Sequence, residues 1–168
     1  MILPTEDLIL SLIEQYGWSI VFFGVMIQSA GIPLPAQTIL IGSGFLVQLG
    51  HLKLWEVIVF ATLGTVLGGP IGYWVSHKVG RPLVLRWGRY ALITPSRLQR
   101  AEKFFEHYGG VSILLIRFVP GIRPYGALLA GITRMHWRTF LFYNAIGGGV
   151  WTTTMILVGY FLGDSLGY

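Results

Sequence analysis

Cysteine is absent from this chain, which removes disulfides, thiolate metal sites and cysteine nucleophiles together and leaves the redox compartment open. Charge is scarce: 11% of the residues are Asp, Glu, Lys or Arg, against roughly 25% in an ordinary soluble domain. So few charges cannot cover a surface in water. The N-terminus lacks the basic stretch that opens a cleaved signal peptide, with Glu6, Asp7 and Glu14 standing there instead. What the chain does have is 54% hydrophobic residues and a mean hydropathy of +0.66. Lipid in place of water around much of the molecule accounts for both, and six Trp, eight Tyr and ten Phe suit the headgroup belt. A single membrane domain over residues 1–168 is expected, all-α and polytopic, with no cofactor, since the four histidines are scattered.

Along the chain, Thr5 reads as the N-cap of a short interfacial helix, with acids in its first turn, Gly17 at its end and its Leu and Ile on lipid. From Gln15 to Leu52 no charged residue occurs, too long a run for one straight span of about 20 residues. Gly31-Ile32-Pro33-Leu34-Pro35 divides it, because the prolines remove backbone donors and push their predecessors out of the helical region. The two arms are then each about half a membrane long, which fits a hairpin entering and leaving by one face. Two short spans joined by an exposed loop are the alternative. Val57–Ser76 has the length of a true span, and Gly64, Gly68 and Gly72 lay one smooth stripe on it, expected to be a helix contact. Gly69-Pro70 is expected to add a kink.

His77 to His107 holds seven Lys or Arg against two Glu, a net +5, and is expected on the cytoplasmic side. Within it Thr94 caps a helix that has Pro95 at its first position. Leu98, Ala101, Phe104 and Phe105 share one side of that helix, away from Arg97, Arg100 and Lys103. Anionic headgroups satisfy such a surface, and embedded segments on both sides argue against nucleic acid. Tyr108–Ile132 then repeats the earlier oddity, with short apolar arms around Arg117-Phe118-Val119-Pro120-Gly121-Ile122-Arg123-Pro124. Thr139–Gly163 is a second full span, and its Gly147-Gly148-Gly149 offers a further close contact.

Set side by side, the halves agree in order: Glu14-Gln15-Tyr16-Gly17 answers Glu106-His107-Tyr108-Gly109, the Pro breaks answer each other, and the following arms end at Gly44 and Gly131. This predicts two repeats, about 14–76 and about 106–163, each a re-entrant hairpin plus a transmembrane helix. Acids flank the first hairpin and bases the second, so the repeats should have inverted topology. Broken segments at matching places mark where a transporter binds its cargo.

Arg117 and Arg123 would lie inside the membrane, where a charge costs at least about 2.5 kcal/mol. Planar guanidinium pairs bidentately with phosphate or carboxylate, and the Pro120-Gly121 break frees backbone N–H groups to help. An anion site is the reading; snorkelling arginines, or arginines paired with a buried acid, are the alternative. Gln28, Gln37, Tyr125 and Asn144 are candidates for neutral hydrogen bonds to the same ligand. The embedded segments contain no Ser-His-Asp, paired-carboxylate or His-rich pattern, so an enzyme is not expected.

Phe104-Phe105, Tyr108-Gly109, Arg117-Phe118-Val119-Pro120-Gly121-Ile122-Arg123, Ala130-Gly131, Met135, Phe140, Tyr143-Asn144, Gly147, Trp151, Gly159-Tyr160 and Gly163 together resemble the signature of the DedA family, also called SNARE-associated or VTT-domain proteins. Gly31-Ile32-Pro33-Leu34-Pro35, Gly64, Gly68, Gly72-Tyr73 and Gly80-Arg81 agree with that family's first half, so the likeness spans Glu14 to Gly163. The resemblance implies two oppositely inserted hairpins and movement of lipids between leaflets, undecaprenyl phosphate and phospholipids included, with the motif arginines at Arg117 and Arg123. It also implies a bacterial inner membrane. Members commonly carry acids nine residues apart around the first Pro motif, where this chain has Gln28 and Gln37, and often a third at the place of Gly69. Many also continue into a further helix beyond the equivalent of Gly163. Glutamine cannot titrate, so proton coupling at those positions is not expected. A secondary transporter of small ions or solutes, or less so a lipid enzyme, remains the competing function, and self-association through the glycine stripes is a further expectation.

Overall fold

The computed structural model describes residues 4–88, 94–119 and 122–165, apart from the side chains of 4–14, 81, 83, 84, 87, 88 and 97. All regular structure among them is helical: α1 Pro4–Ser29, α2 Ala36–Gln48, α3 Leu54–Gly88, α4 Pro95–Tyr108, α5 Val111–Ile116, a 3-10 turn Arg123–Tyr125, α6 Gly126–Ile132 and α7 Trp137–Ser165. The segments Leu54–Gly80 and Trp137–Ser165 are long and apolar enough to cross a membrane. Both interruptions fall where the prolines put them.

At the first break Gly31 has φ 107, the Gly31 N–H donates to the Gln28 carbonyl and the Ile32 N–H to that of Ile27. This is the Schellman ending, which needs a left-handed residue and gets it from glycine. Two expectations fail nearby. The helix does not stop at Gly17 and opens at Pro4, so Thr5 lies inside it and the interfacial helix and first arm are one rod of 26 residues, about 39 Å long. Gly17 is buried, and a Cβ there would stand 2.8 Å from a Leu52 methyl, so the glycine serves close approach and not termination. The lipid exposure expected of the leucines and isoleucines at 8–13 falls among side chains outside those described. The non-helical residue inside α3 is Gly80, with φ 74, and not the Gly69-Pro70 pair.

The glycine stripe packs as its spacing implied. A Cβ at Gly64, Gly68 or Gly72 would strike the carbonyls of Phe22, Met26 and Ala30, so the α1 and α3 backbones touch. α2 lies on α7, where Gly44 meets the Ile156 carbonyl and Gly159 the Ile41 carbonyl. α6 lies on α3, where Gly131 meets the Tyr73 carbonyl. The arm after each break therefore rests on the long helix of the other half. α4 begins at Pro95 as expected, and Leu98 and Phe105 are buried with Ala101 and Phe104 against Ile113, Ile116, Leu129 and Phe140. Its apolar side is thus taken up by protein.

Candidate functional site

The two breaks meet. Between them opens a cleft of about 600 Å³ whose lining includes Gln28, Leu34 and Gln37 from the first and Arg117, Arg123 and Pro124 from the second, with Trp151 and Met155 of α7 behind. That is the size of a small-molecule site. A smaller recess of about 20 Å³ lies between Gln28, Arg117, Arg123, Gly126 and Asn144, room for about one water-sized group.

Arg117 ends α5 in helical conformation, and its side chain runs along α7. Gly147 and Gly148 make the slot: a Cβ at Gly147 would stand 3.2 Å from Arg117 Nε, and one at Gly148 3.5 Å from Nη2. Arg117 Nη2 donates to Asn144 Oδ1 at 2.7 Å and to the Asn144 carbonyl at 3.3 Å. Asn144 Nδ2 donates to the Thr65 carbonyl of α3 at 3.2 Å, so one buried amide ties three helices. Arg117 Nε is buried and finds no hydrogen-bond partner among the described residues. Gly69 leaves room for this arrangement, because a Cβ there would lie 2.6 Å from Asn144 Nδ2.

Arg123 is held differently. Its guanidinium carbon lies 3.7 Å from the centroid of the Trp151 ring, and it donates to no described residue. The backbone below is stiffened by Pro124 and by the 3-10 turn that ends in buried Tyr125.

Of the residues read from sequence, Arg117, Arg123, Gln28, Gln37 and Asn144 line one or other cavity. Gln28 is buried and donates from Nε2 to the Leu34 carbonyl, bracing the first break, whereas Gln37 is exposed. Tyr125 belongs to the apolar core beside Phe140 and Leu129 and lines neither cavity. Pro120 and Gly121 lie outside the described residues. Trp151, Thr65, Gly147 and Gly148 were not among the residues read for the site, Trp151 entering only through the family signature and the glycines only as a helix contact. The signal was there, since Asn144, Gly147, Gly148 and Trp151 are spaced i, i+3, i+4 and i+7 and so share one face.

Chemically, the cleft offers permanent positive charge with no carboxylate in its lining. No Asp or Glu occurs in 15–52 or in 108–132, the stretches that carry both breaks. Charges removed from water need a partner, and none with a negative charge lines the cleft among the described residues. Among the described residues no three of His, Asp and Glu gather to hold a metal ion.

The family model described as the VTT domain matches residues 32–161. An uncharacterized membrane protein of Synechocystis is 39% identical over 152 residues, 90% of this chain and 70% of that one. A Lactococcus lactis protein named alkaline phosphatase-like is 30% identical over 165 residues, 95% of this chain and 77% of its own. Undecaprenyl phosphate transporter A of Staphylococcus aureus is 26% identical over 166 residues, 96% of this chain and 82% of its own. No solved structure matches the chain. With most of the chain covered, and the Arg117-to-Arg123 segment and its glycine-bearing helices inside the match, the protein belongs to the VTT-domain, or DedA, family of membrane proteins.

Proposed function

We propose that the protein carries a phosphate-bearing lipid between bilayer leaflets, with the phosphate at Arg117 and Arg123 and the hydrocarbon chain left in lipid. The observation that carries this reading is the cleft where both proline breaks meet, lined by two guanidinium groups and by no carboxylate. Guanidinium keeps its proton and forms paired hydrogen bonds to phosphate oxygens. The name of the staphylococcal relative supports the same cargo class, an undecaprenyl or other lipid phosphate.

On this reading the breaks are the tips of two re-entrant hairpins of inverted repeats. The exchange of arms, α2 on α7 and α6 on α3, supports the repeat, because a two-fold relation between the halves produces that reciprocal pattern, and the opposite charge flanking the two breaks supports its inversion. Residues 77–107 then face the cytoplasm of a bacterial inner membrane. With Gln28 and Gln37 where the family resemblance implies acids, movement is passive or driven by something other than protons, and the chain is a transporter and not an enzyme.

The test is translocation of a labelled phosphate-monoester lipid in proteoliposomes, with Arg117→Ala and Arg123→Ala beside the parent. Each variant is expected to slow transfer at least tenfold, the loss of one charged hydrogen-bonding partner being worth about 1.5–3 kcal/mol. Parent vesicles that move no lipid yet accumulate a small anion would establish the solute transporter instead. Undiminished transfer in both variants would reduce the arginines to structural ties.

A further inference from the structure

The two arginines are restrained by different chemistry, and the difference assigns them different work. Arg117 spends Nη2 on Asn144, and its Nε is enclosed beside Gly147. Arg123 lies with its guanidinium carbon 3.7 Å over the centroid of the Trp151 ring and donates to no described residue, so the rim of the guanidinium is unspent among them. All five donors of a guanidinium sit on that rim, so stacking fixes the group without consuming the hydrogen bonds that read a phosphate. A carboxylate partner would fix it by occupying them.

Trp151 can serve as such a platform because something else holds it. The ring is 5% exposed and packs with Val21, Val25, Leu40 and Ile156, a cluster built mainly by the first half and α7. Arg123 comes from the second break, with Pro124 stiffening the backbone that follows it. Both Trp151 and Arg123 line the cleft beside Gln28 and Gln37. Without the ring, a long flexible side chain at the end of a break would swing toward the headgroups.

We infer that Trp151 is a positioning residue that holds Arg123 with its donor rim open to the cleft, making Arg123 the bidentate phosphate ligand and leaving Arg117 chiefly to supply fixed charge. The inference rests on the phosphate reading above and adds which arginine does the gripping.

The experiment uses the full chain purified in detergent and titrated with inorganic phosphate. Parent, Trp151→Phe and Trp151→Leu are compared, with thermal melting of each and side-chain NMR of labelled arginine. A desolvated cation–π contact is worth a factor of roughly ten or more. Trp151→Leu is therefore expected to bind phosphate roughly tenfold more weakly and Trp151→Phe to recover most of that loss, both remaining folded but melting below the parent because the indole is buried. Protons of Arg123 should be displaced upfield by the ring current in the parent and return to ordinary positions in Trp151→Leu. Should the leucine variant not fold, Trp151→Met, flexible and of similar bulk, takes its place. A folded variant lacking the ring that binds phosphate as tightly as the parent overturns the positioning role, as does a parent whose Arg123 protons show no displacement. A parent with displaced protons but no phosphate binding keeps the stacked arginine and sinks the phosphate reading.

Discussion

The first break and the second do the same structural task with opposite chemistry. Each stops a helix inside an apolar stretch, sends the following arm onto the other half's long helix and lends one wall to the cleft. In the first, polar demand is met from within, since Gln28 donates to the Leu34 carbonyl and Gly31 closes a Schellman turn. In the second it is left open: among the described residues Arg117 Nε lacks a partner, and Arg123 has a ring face and no hydrogen-bond acceptor. Charge in the cleft is thus concentrated in one half. The other half supplies shape and a neutral wall.

The largest expected effect removes what the halves share. Gly44→Val and Gly131→Val each thrust a side chain into the backbone of a long helix, at Ile156 and at Tyr73. With no flexible side chain to yield, each is expected to cost more than about 3 kcal/mol and to abolish the folded monodisperse protein in size-exclusion chromatography. Survival of one variant but not the other would show that the two arm contacts are not equivalent.

Next comes a change that makes the first break resemble the second in being charged. Gln28→Glu sets a carboxylate beside Arg117 and Arg123 in the recess. At neutral pH it is expected to compete with inorganic phosphate and weaken binding roughly tenfold, a factor worth about 1.4 kcal/mol. Binding should recover as pH falls through the range where that carboxyl takes up a proton, whereas the parent has no such group in the cleft. Phosphate titration between acidic and neutral pH checks the sign. Equal affinity across that range would mean that residue 28 does not face the ligand.

A smaller effect is expected at Asn144→Ala, which removes the 2.7 Å bond from Arg117 Nη2 and the side-chain bond to the Thr65 carbonyl but leaves Nη2 its longer bond to the backbone carbonyl of residue 144. Destabilisation of about 1–3 kcal/mol follows from losing buried hydrogen bonds, one of them to a charged group, read as a lower thermal midpoint, together with slower lipid transfer. The smallest concerns the turn at each arm's end. Gly50 sits at φ 83 after α2, and Arg134 at φ 52 after α6, in the same hydrogen-bonding pattern. Arg134→Gly should raise stability by up to about 1 kcal/mol by relieving a left-handed non-glycine residue, and Gly50→Ala should lower it by a similar amount. Paired thermal melts decide whether the two turns are energetically alike.

The helix breaks, both long spans, the basic amphipathic helix and the packing role of Gly64, Gly68 and Gly72 were readable from the chain. These are local signals: proline chemistry, length of apolar run, and spacing by four. The early end assigned at Gly17 failed because a glycine in sequence says only that a Cβ is missing, and here Leu52, a remote neighbour, occupies the space. Gly147 and Gly148 show the same limit, read as a helix contact and found to hold the Arg117 side chain as well. Tyr125 was nominated for its hydroxyl and lies in the apolar core instead, since nothing local reveals which way a residue after a break will turn.

Membrane residence, the places where helices must stop and the presence of two permanent cations beside a break follow from residue chemistry alone, because a chain with so few charges has no water-soluble way to fold. Which groups restrain those cations does not follow. Asn144 and Trp151 are 27 and 28 residues from Arg117 and Arg123, and only the docking of α7 against both breaks brings them within reach. Side-chain pairing across such separations depends on helix rotation and backbone closeness, quantities that packing sets and composition does not.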